Sequence, residues 1–498
     1  MFRRGKSNNG KKASISRAKK VRRFRKGRLL ALVSVGLLLL VSGLTLAMLV
    51  VQPAAPAEQA SLVAGPTPTY DGAAVRATLA ARHDAAPVLS PGPTPINLAQ
   101  SPASSPAATA GTLPGITPTA ILADPKSEAR QQLQLAWESY KHNFIQADGR
   151  VIDPMFGNLT TSEGQSYALL RAVWMNDRAS FDLALRWSQN NLQVRPGDKL
   201  FGYKWGNDGN GNWRLVEVNS ASDADVDIAL ALLFGSKRWN EASYQKQALE
   251  LLNSIWNREV VHVLGKPYLT AGDWAPAQAK PTLNPSYLSP YAYRIFATVD
   301  RSHDWQGLVD TSYNVIKGCS ETVFEGVGGA HLPANWCAID RTSGSYTVAQ
   351  SYPDMNTNYG YDAFRTMWRV ALDYTWFNEP RAFQFLTRSD ALRQKWQQEG
   401  RLLAEYDHAG KPVQPREDLA VYGGDLANFL VTDAGTAETI VKTKILPAFQ
   451  QQNNNSPASL AGWGDLHNYY TQNWAWFGLA LYCQKLENLS VLGAVTSN

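Results

Sequence analysis

Residues 221–229 read Ala-Ser-Asp-Ala-Asp-Val-Asp-Ile-Ala and open an apolar segment that continues to Trp239. Serine is a favoured residue at the amino-terminal cap of a helix, so Ser222 is the expected cap. The three aspartates suit the positive end of the helix dipole, which stabilises negative charge in the first turn. The stretch therefore predicts an apolar helix over residues 223–236.

Helical spacing of apolar residues recurs from about residue 126 to the end of the chain. Leu133, Trp137, Tyr140 and Phe144 follow one another at intervals of four, three and four, which places them on one side of a helix. Twelve segments are predicted to be helices: 126–144, 163–176, 179–193, 223–236, 240–257, 287–298, 304–317, 362–376, 379–398, 417–430, 433–449 and 468–484. Twelve helices in a segment of about 374 residues are typical of six helical hairpins in a ring, although other all-α folds have similar counts.

The connections between these helices are unequal in length. Strand signals are few and lie near residues 149–153 and 260–270. The connections at 194–222, 258–286 and 318–358 are long and rich in glycine, proline and aromatic residues. Long loops in a compact domain often carry binding or catalytic residues, so we expect the functional site to draw on these connections.

Residues 160–167, Thr-Thr-Ser-Glu-Gly-Gln-Ser-Tyr, precede another apolar segment. Thr160 and Glu163 have the spacing of a capping box, in which a threonine and a glutamate satisfy the first N–H groups of a helix. This structural role is sufficient to explain the local sequence. Glu163 is also a candidate for acid–base chemistry, since a carboxyl group at a helix start can face a cleft.

Residues 361–365, Tyr-Asp-Ala-Phe-Arg, hold a second acidic candidate. Asp362 and Arg365 are three positions apart, a spacing at which opposite charges pair weakly on a helix. Acid–base catalysis by two carboxyl groups needs one that gives a proton and one that takes a proton, facing each other across a cleft. Asp362 and Glu163 meet this need if both lie at helix starts on the same end of a ring.

In this order, and on a helix-rich chain with many tryptophans, the three motifs resemble the inverting β-glucanases of glycoside hydrolase family 8. The resemblance extends over about residues 126–484 and is most specific in the 221–229 stretch. It departs from the family pattern at Gly235, where alanine is usual, and after Arg365, where the usual proline is absent. The resemblance implies an all-α fold, the (α/α)6 barrel of six helical hairpins.

The resemblance also implies roles for particular residues. Glu163 is expected to be the proton donor and Asp362 the base that activates water, as in the cellulase-like branch of the family. Asp223 is expected to bind the sugar that is distorted at the cleavage point. Arg365 is expected to contact substrate or to keep the neighbouring carboxylate ionised. The other two aspartates of 221–229 are expected to be structural.

Two further stretches resemble substrate-binding segments of the family. Residues 201–206, Phe-Gly-Tyr-Lys-Trp-Gly, resemble its aromatic loop, and residues 284–287, Asn-Pro-Ser-Tyr, resemble a second segment. Flat aromatic rings bury the CH groups of pyranose faces at low entropic cost. Trp205 and Tyr287 are therefore the expected stacking residues. Residues 469–479 also resemble the family, and we expect them to pack the last helix.

The first 124 residues lie outside this pattern. Residues 1–28 contain 13 Lys or Arg and no acidic residue, and residues 29–51 contain no charge, a length sufficient for one membrane-spanning helix. We expect a basic cytoplasmic tail, a signal-anchor at 29–51 and a disordered linker at 52–124 rich in Pro, Ala, Ser and Thr, before a catalytic domain at 125–498. A cleaved secretory signal is the alternative, and both place the domain outside the cytoplasm.

Charge and metal-ligand patterns exclude other classes of protein. The formal net charge is +6, but residues beyond the tail carry 35 basic and 42 acidic side chains, which gives no support for nucleic-acid binding. The seven histidines and three cysteines show no metal-ligand spacing, so we predict neither metal nor cofactor. Cys319 and Cys337 flank one loop and are candidates to form a disulfide or to remain as thiols, whereas Cys483 is expected to be buried.

These observations predict a membrane-anchored, monomeric endo-β-1,4-glucanase that acts on a cellulose-like polysaccharide. A chitosanase, lichenase or xylanase of the same family is the alternative within this chemistry. A non-catalytic glycan-binding protein on the same fold, or a lyase, is the alternative outside it. The anchor and linker further suggest a partner, a glucan synthase complex in the same membrane whose product the enzyme trims.

Overall fold

The computed structural model describes residues 125–352, 355–452 and 460–492. The predicted tail, signal-anchor and linker (1–28, 29–51 and 52–124) lie outside these residues. Within them, no helix has both the length and the hydropathy needed to cross a bilayer. All the described residues lie within 125–498, the stretch for which a catalytic domain is predicted.

Thirteen α-helices form the described part of the chain. They are α1 (Pro125–Asn143), α2 (Ser162–Trp174), α3 (Arg178–Asn191), α4 (Ser222–Trp239), α5 (Ala242–Glu259), α6 (Pro290–Val299), α7 (Trp305–Glu321), α8 (Phe364–Phe377), α9 (Pro380–Arg388), α10 (Ala391–Glu399), α11 (Leu419–Thr432), α12 (Ala434–Ile440) and α13 (Tyr469–Tyr482). Helix α12 continues into a π-helical turn (Val441–Ile445), and short 3-10 turns occur at Pro154–Phe156, Pro285–Tyr287, Leu446–Ala448 and Leu489–Val491.

Six of these helices form an inner ring and six form an outer ring. Helices α2, α4, α6, α8, α11 and α13 pack successively against one another. The ring closes where Tyr167 of α2 packs against Trp474 and Phe477 of α13. Helices α3, α5, α7, α9, α12 and α1 each pack outside one inner helix. The predicted (α/α)6 arrangement is therefore confirmed for the described residues.

The position of a helix in the two rings explains its sequence. Residues 222–235 of α4 are all buried, because an inner helix contacts neighbours on every side. The outer helix α5 buries only one face, which includes Leu251, Leu252 and Ile255. The apolar character of the 221–229 stretch and its continuation thus reflects placement in the inner ring.

Two details of the predicted helices are wrong. The expected helix at 379–398 is divided into α9 and α10, because the buried hydroxyl of Ser389 hydrogen-bonds to the carbonyl of His331 and the backbone turns there. Ser222 is not the cap of α4: the capping position is Ala221, and the Ser222 hydroxyl donates to the carbonyl of Thr270 at 2.6 Å. The hydroxyl of Ser222, which was expected to cap the helix, is therefore bonded to the buried carbonyl of a loop.

Short strands occupy connections between the helices. They are β1 (Thr160–Thr161), β2 (Lys204–Asn207), β3 (Trp213–Glu217), β4 (Val260–Val263), β5 (Lys266–Leu269), β6 (Thr282–Leu283), β7 (Cys337–Ile339), β8 (Tyr346–Thr347), β9 (Glu405–Tyr406), β10 (Pro412–Gln414), β11 (Phe449–Gln451) and β12 (Ala461–Trp463). They form antiparallel sheets ordered β1-β2-β3, β4-β5, β6-β7-β8, β10-β9 and β11-β12. The strand signal near 260–270 is confirmed by β4 and β5.

A disulfide joins Cys319, in the last turn of α7, to Cys337 in the middle strand of β6-β7-β8. Cys483 lies outside the disulfide and is buried, as expected. The covalent bond therefore connects an outer helix to the connection that precedes α8.

Candidate active site

The candidate residues meet at one end of the inner ring, where the amino termini of its helices converge. Glu163 lies in the first turn of α2 and Asp223 in the first turn of α4. Asp362 lies two residues before α8, and Tyr469 is the first residue of α13. Helix amino termini carry partial positive charge, so this end of the ring favours a cluster of carboxylates.

The guanidinium of Arg365 lies at the centre of this cluster. Its Nη1 atom donates to Oε2 of Glu163 at 2.9 Å and to Oδ2 of Asp223 at 3.1 Å. Its Nη2 atom donates to Oδ1 of Asp362 at 2.7 Å. The Arg365 side chain is only 2% exposed, so these charge-assisted bonds form away from bulk water. One arginine thus holds all three acidic residues singled out in the sequence.

Glu163 is free of the capping role that its sequence suggested. The cap of α2 is Thr161, whose hydroxyl accepts from the N–H of Gly164 at 3.0 Å. The hydroxyl of Thr160 donates instead to the carbonyl of Val151, so the capping-box prediction is wrong. The Glu163 carboxyl group, 19% exposed, accepts from Arg365 through one oxygen and from the Tyr469 hydroxyl through the other.

Asp223 is the most deeply buried of the three acids, with a side chain 3% exposed. Burial raises its pKa to about 7, although Arg365 opposes the rise, and the neighbouring charge of Glu163 adds to it. One Asp223 oxygen accepts from the N–H of Ala224 and the other from Arg365. The group therefore titrates near neutrality and can accept or donate a hydrogen bond to a sugar hydroxyl.

Asp362 is held by two residues of the preceding connection. The indole N–H of Trp336 donates to Oδ2 of Asp362 at 2.8 Å, while Arg365 occupies Oδ1. The side-chain oxygen of Asn335 accepts from the backbone N–H groups of Asp362 and Ala363 at 3.2 and 2.9 Å. Both the carboxylate and the backbone of Asp362 are thus fixed in direction.

The two predicted stacking residues lie in different surroundings. Tyr287 lies beside the cluster, with its ring centre 5.2 Å from the guanidinium carbon of Arg365. It lines a small aromatic cavity beside the amino terminus of α4, together with Tyr203, Trp274 and Trp336. The cavity offers aromatic faces within reach of the carboxylates.

Trp205 belongs to a separate aromatic group on β2 and β3. Its ring packs against Trp187 and Trp213, and the guanidinium of Arg150 lies over it at 4.9 Å. Trp213 is 42% exposed. The structure therefore places Trp205 near an exposed platform and not among the residues bound to Arg365.

The sequence interpretation missed three residues of the site. Tyr469 was expected only to pack the last helix, yet its hydroxyl reaches Glu163. Its position at the start of an inner helix, like that of Glu163, is the signal that could have identified it. Trp336 and Asn335 lie in an irregular connection, and no local pattern links them to Asp362.

One of the expected structural aspartates has a clear partner. Asp227 forms two hydrogen bonds with Arg369, both 2.8 Å long, one turn below Arg365 on α8. Both side chains are buried. This ion pair joins α4 to α8 one turn below Arg365, and so fixes the distance between the helices that carry Asp223 and Arg365.

Comparisons with known proteins agree with this geometry. A sequence model described as glycosyl hydrolases family 8 matches residues 115–403, more than half of the chain. Endoglucanase A of Acetivibrio thermocellus is 35% identical over 277 residues, which are 53% of this chain and 53% of that protein. The endoglucanase of Escherichia coli K12 is 38% identical over 185 residues, 36% of this chain and 50% of that protein. The chain thus spans about half the length of these curated relatives.

Solved structures share the fold. An endo-1,4-D-glucanase from Vibrio fischeri ES114 superposes with a TM-score of 0.57 at 23% identity, covering 70% of this chain and 94% of that one. A cold-adapted family 8 xylanase superposes with a TM-score of 0.58 at 18% identity, covering 72% and 92%. At these identities the likeness shows the fold alone. Together with the family match, it shows that the chain belongs to glycosyl hydrolases family 8.

Proposed function

We propose that this chain is an endo-β-1,4-glucanase that hydrolyses a cellulose-like polysaccharide with inversion at the anomeric carbon. The observation that carries the proposal is the Arg365 guanidinium, which gathers Glu163, Asp223 and Asp362 from three inner helices or their approaches. A pure glycan-binding protein has no need of paired acidic groups in this arrangement. A lyase would need a base and a cation facing a uronate, without a protonated carboxyl group.

In the proposed mechanism, Glu163 donates a proton to the glycosidic oxygen as the bond from that oxygen to the anomeric carbon breaks. Asp362 takes a proton from a water molecule, whose oxygen forms the new bond from the opposite face of the sugar. The Glu163 and Asp362 carboxyl groups are each 19% exposed, so substrate and water can reach both. The net reaction consumes one water and leaves both carboxyl groups ready to exchange protons with solvent.

The remaining site residues would hold the glycan. Asp223 is proposed to bind a hydroxyl of the sugar at the cleavage point, because it lies beside Glu163 on the same guanidinium. Tyr287 offers a ring next to Arg365, and Trp205 with Trp213 offers a more distant platform. Arg365 is proposed to orient the carboxylates and to contact substrate. These roles follow from placement and from the affinity of aromatic rings for pyranose faces.

Substrate is less closely defined than reaction. The curated relatives are described as endoglucanases, whereas the solved structures include a β-1,3-1,4-glucanase and xylanases. Lichenan, xylan and chitosan therefore belong in the first substrate panel. Chitosan is cationic and would favour carboxylates that remain ionised along the cleft.

The cellular setting is part of the proposal. An uncleaved signal-anchor at 29–51 would leave the domain outside the cell, and a linker at 52–124 would let it reach glucan that leaves a synthase in the same membrane. Retention of the full chain in the membrane fraction, together with recovery of a truncated variant that begins at residue 52 in the soluble fraction, would support the anchor. Deletion of the gene without change in exopolysaccharide yield or chain length would contradict the synthase partner.

The test of function is reducing-end release from carboxymethyl cellulose by the full chain, with Glu163→Gln and Asp362→Asn measured alongside. We expect release by the wild type, and a fall of roughly 10²- to 10⁴-fold in each variant, since each loses proton transfer. Circular dichroism should show the same fold in all three proteins. Wild-type protein that is folded but inactive on every polymer of the panel would refute the proposal.

A further inference from the structure

The segment Asn335–Cys337 connects Asp362 to the barrel wall. Trp336 binds the Asp362 carboxylate, and Asn335 binds its backbone N–H. The next residue, Cys337, forms the disulfide to Cys319 on α7. Of three consecutive residues, one thus binds the backbone of Asp362, the next binds its carboxylate, and the third forms the disulfide.

Cys337 begins β7, which pairs with β6 and β8, whereas Asn335 and Trp336 lie in irregular chain. The backbone N–H groups of Asn335 and Trp336 donate to the carbonyls of Asn358 and Asn356, which belong to the same long connection. The side-chain amide of Asn335 also donates to the side-chain oxygen of Asn356. These bonds join one loop strand to another. By themselves they do not fix either strand relative to a helix of the rings.

The disulfide adds a covalent link from this segment to a helix of the outer ring. Cys319 lies in α7, which packs outside α6, and both sulfur-bearing residues are fully buried. Cys337 also pairs with Leu283 of β6, directly before the Asn284–Tyr287 stretch that places the Tyr287 ring over Arg365. The covalent bond therefore lies between an outer helix and two parts of the site.

We infer that the Cys319–Cys337 disulfide positions Asp362 for reaction, through Asn335 and Trp336. The inference rests on the proposed function, in which Asp362 activates water. A base must hold its lone pair towards the attacking water, and small errors of placement at a reacting centre reduce rate strongly. Because Arg365 and Trp336 occupy one oxygen each, a shift of the Trp336 indole would rotate the carboxylate about its bond to Arg365.

Trp336 and Asn335 are thus positioning residues, and the disulfide limits how far they move. A bond that served only to stabilise the fold would leave kcat and its pH dependence unchanged while the protein remains folded. Loss of a disulfide that positions Asp362 changes both kcat and its pH dependence. Substrate affinity should change little in either case, because the indole N–H group of Trp336 makes the bond to Asp362, whereas the contact of its ring with Tyr287 is a separate interaction.

The experiment compares four full-length proteins on carboxymethyl cellulose: wild type, Cys319→Ala/Cys337→Ala, Trp336→Phe, and the combination of all three substitutions. Cys483→Ala is the matched control for loss of a buried cysteine outside the disulfide. Rates are measured between pH 4 and 9, at a temperature below the lowest melting point of the set. The Phe substitution keeps an aromatic ring beside Tyr287 and removes the N–H donor together with part of the indole ring.

We expect kcat to fall roughly tenfold in Trp336→Phe, as for loss of a hydrogen bond to a charged group, and in the cysteine pair, with KM within about twofold of wild type. The acidic limb of the rate profile should move to higher pH in both variants. The combined variant should lose much less than the product of the two effects, because the disulfide acts through Trp336.

Each contrary result is decisive. Multiplicative losses in the combined variant, or cysteine variants that melt earlier but keep wild-type kcat and pH profile, overturn the inference. An unchanged profile in Trp336→Phe does so alone, even if the cysteine pair fails to fold. Inactive wild-type protein overturns the proposed function and the inference together, an outcome distinct from active wild-type protein with unaltered variants.

Discussion

The Nη1 atom of Arg365 lies 2.9 Å from Oε2 of Glu163, although the two residues are 202 positions apart in the chain. The same guanidinium binds Asp223 and Asp362. Three acidic groups share one buried cation, which limits the repulsion between them and sets the direction in which each presents its second oxygen. The arrangement depends on the planar fork of arginine.

Replacing Arg365 by lysine should therefore abolish most activity while keeping the charge. A lysine ammonium is a single point that cannot occupy the positions of Nη1 and Nη2 together. We expect kcat/KM to fall at least about 100-fold and the melting temperature to drop, because one or more buried carboxylates lose their partner. Arg381→Lys, on the outer helix α9, is the control. Comparable losses in both variants would count against a special role for Arg365.

Tyr469→Phe tests the residue that reaches Glu163 from the last inner helix. The tyrosine hydroxyl donates to one oxygen of the Glu163 carboxyl group and Arg365 to the other, so its removal takes away one of the two contacts that orient this group. We expect kcat to fall by roughly tenfold, with a smaller change in KM. Tyr470→Phe, whose hydroxyl binds the carbonyl of Tyr361, is the neighbouring control. A kcat equal to that of wild type would show that Tyr469 serves packing alone.

The stereochemistry of the product distinguishes the two ways in which a pair of carboxyl groups can act. If Asp362 activates water while Glu163 protonates the leaving oxygen, hydrolysis of a β-linked glucan releases the α-anomer first. Proton NMR of a cello-oligosaccharide digest, recorded before mutarotation, measures this directly. Initial release of the β-anomer would assign a nucleophilic role to one of the carboxylates and exclude the proposed mechanism.

The helices of the inner ring could be predicted because the spacing of their apolar residues is local. All four residues of the central cluster lie in short motifs, and the family resemblance gave the role expected of Asp223. Arg365 was expected near Asp362 from their separation of three, and the structure adds its bonds to Glu163 and Asp223. Such bonds join distant segments, and no local pattern encodes them. Trp336 is the clearest case, since an indole in an irregular connection has no periodicity to reveal its partner.

Capping was the least predictable feature at residue level. Thr160 and Thr161 are chemically the same and both pair with β2, yet Thr161, the last residue of β1, caps α2, while the hydroxyl of Thr160 bonds to Val151. Ser222 shows the same competition, since a buried loop carbonyl takes its hydroxyl. Local sequence predicts that a helix begins, whereas tertiary contacts decide which side chain satisfies its end.

A buried carboxyl group outside the proposed mechanism gives a prediction for stability against pH. Asp425 of α11 is fully buried, accepts from the hydroxyl of Tyr359 through one oxygen, and has a second oxygen without a hydrogen-bond partner in the described residues. Burial raises its pKa from 3.8 to about 8. The folded protein therefore keeps this proton up to about pH 8, whereas the unfolded chain releases it near pH 4. Between pH 4 and pH 8 the folded state therefore binds more protons than the unfolded chain. The contribution of Asp425 to the free energy of unfolding is fully present below pH 4 and is lost as the pH rises towards 8.

Asp425→Asn removes this ionisable group, so the free energy of unfolding of the variant should depend less on pH. We expect the variant to be less stable than wild type at pH 5 by about 1–3 kcal/mol, because its amide lacks a partner for the added N–H group. The difference should shrink, or change sign, by pH 9, since only the wild type must then bury a charge. Urea denaturation at pH 5, 7 and 9 measures the free energy of unfolding of both proteins.

Asp433→Asn is the contrasting control. Hydrogen bonds from Thr436 lower the pKa of Asp433, so the loss of stability in this variant should be constant above pH 5 and diminish only in acid. A constant difference for Asp425→Asn across the range would show that Asp425 is ionised in the folded protein throughout.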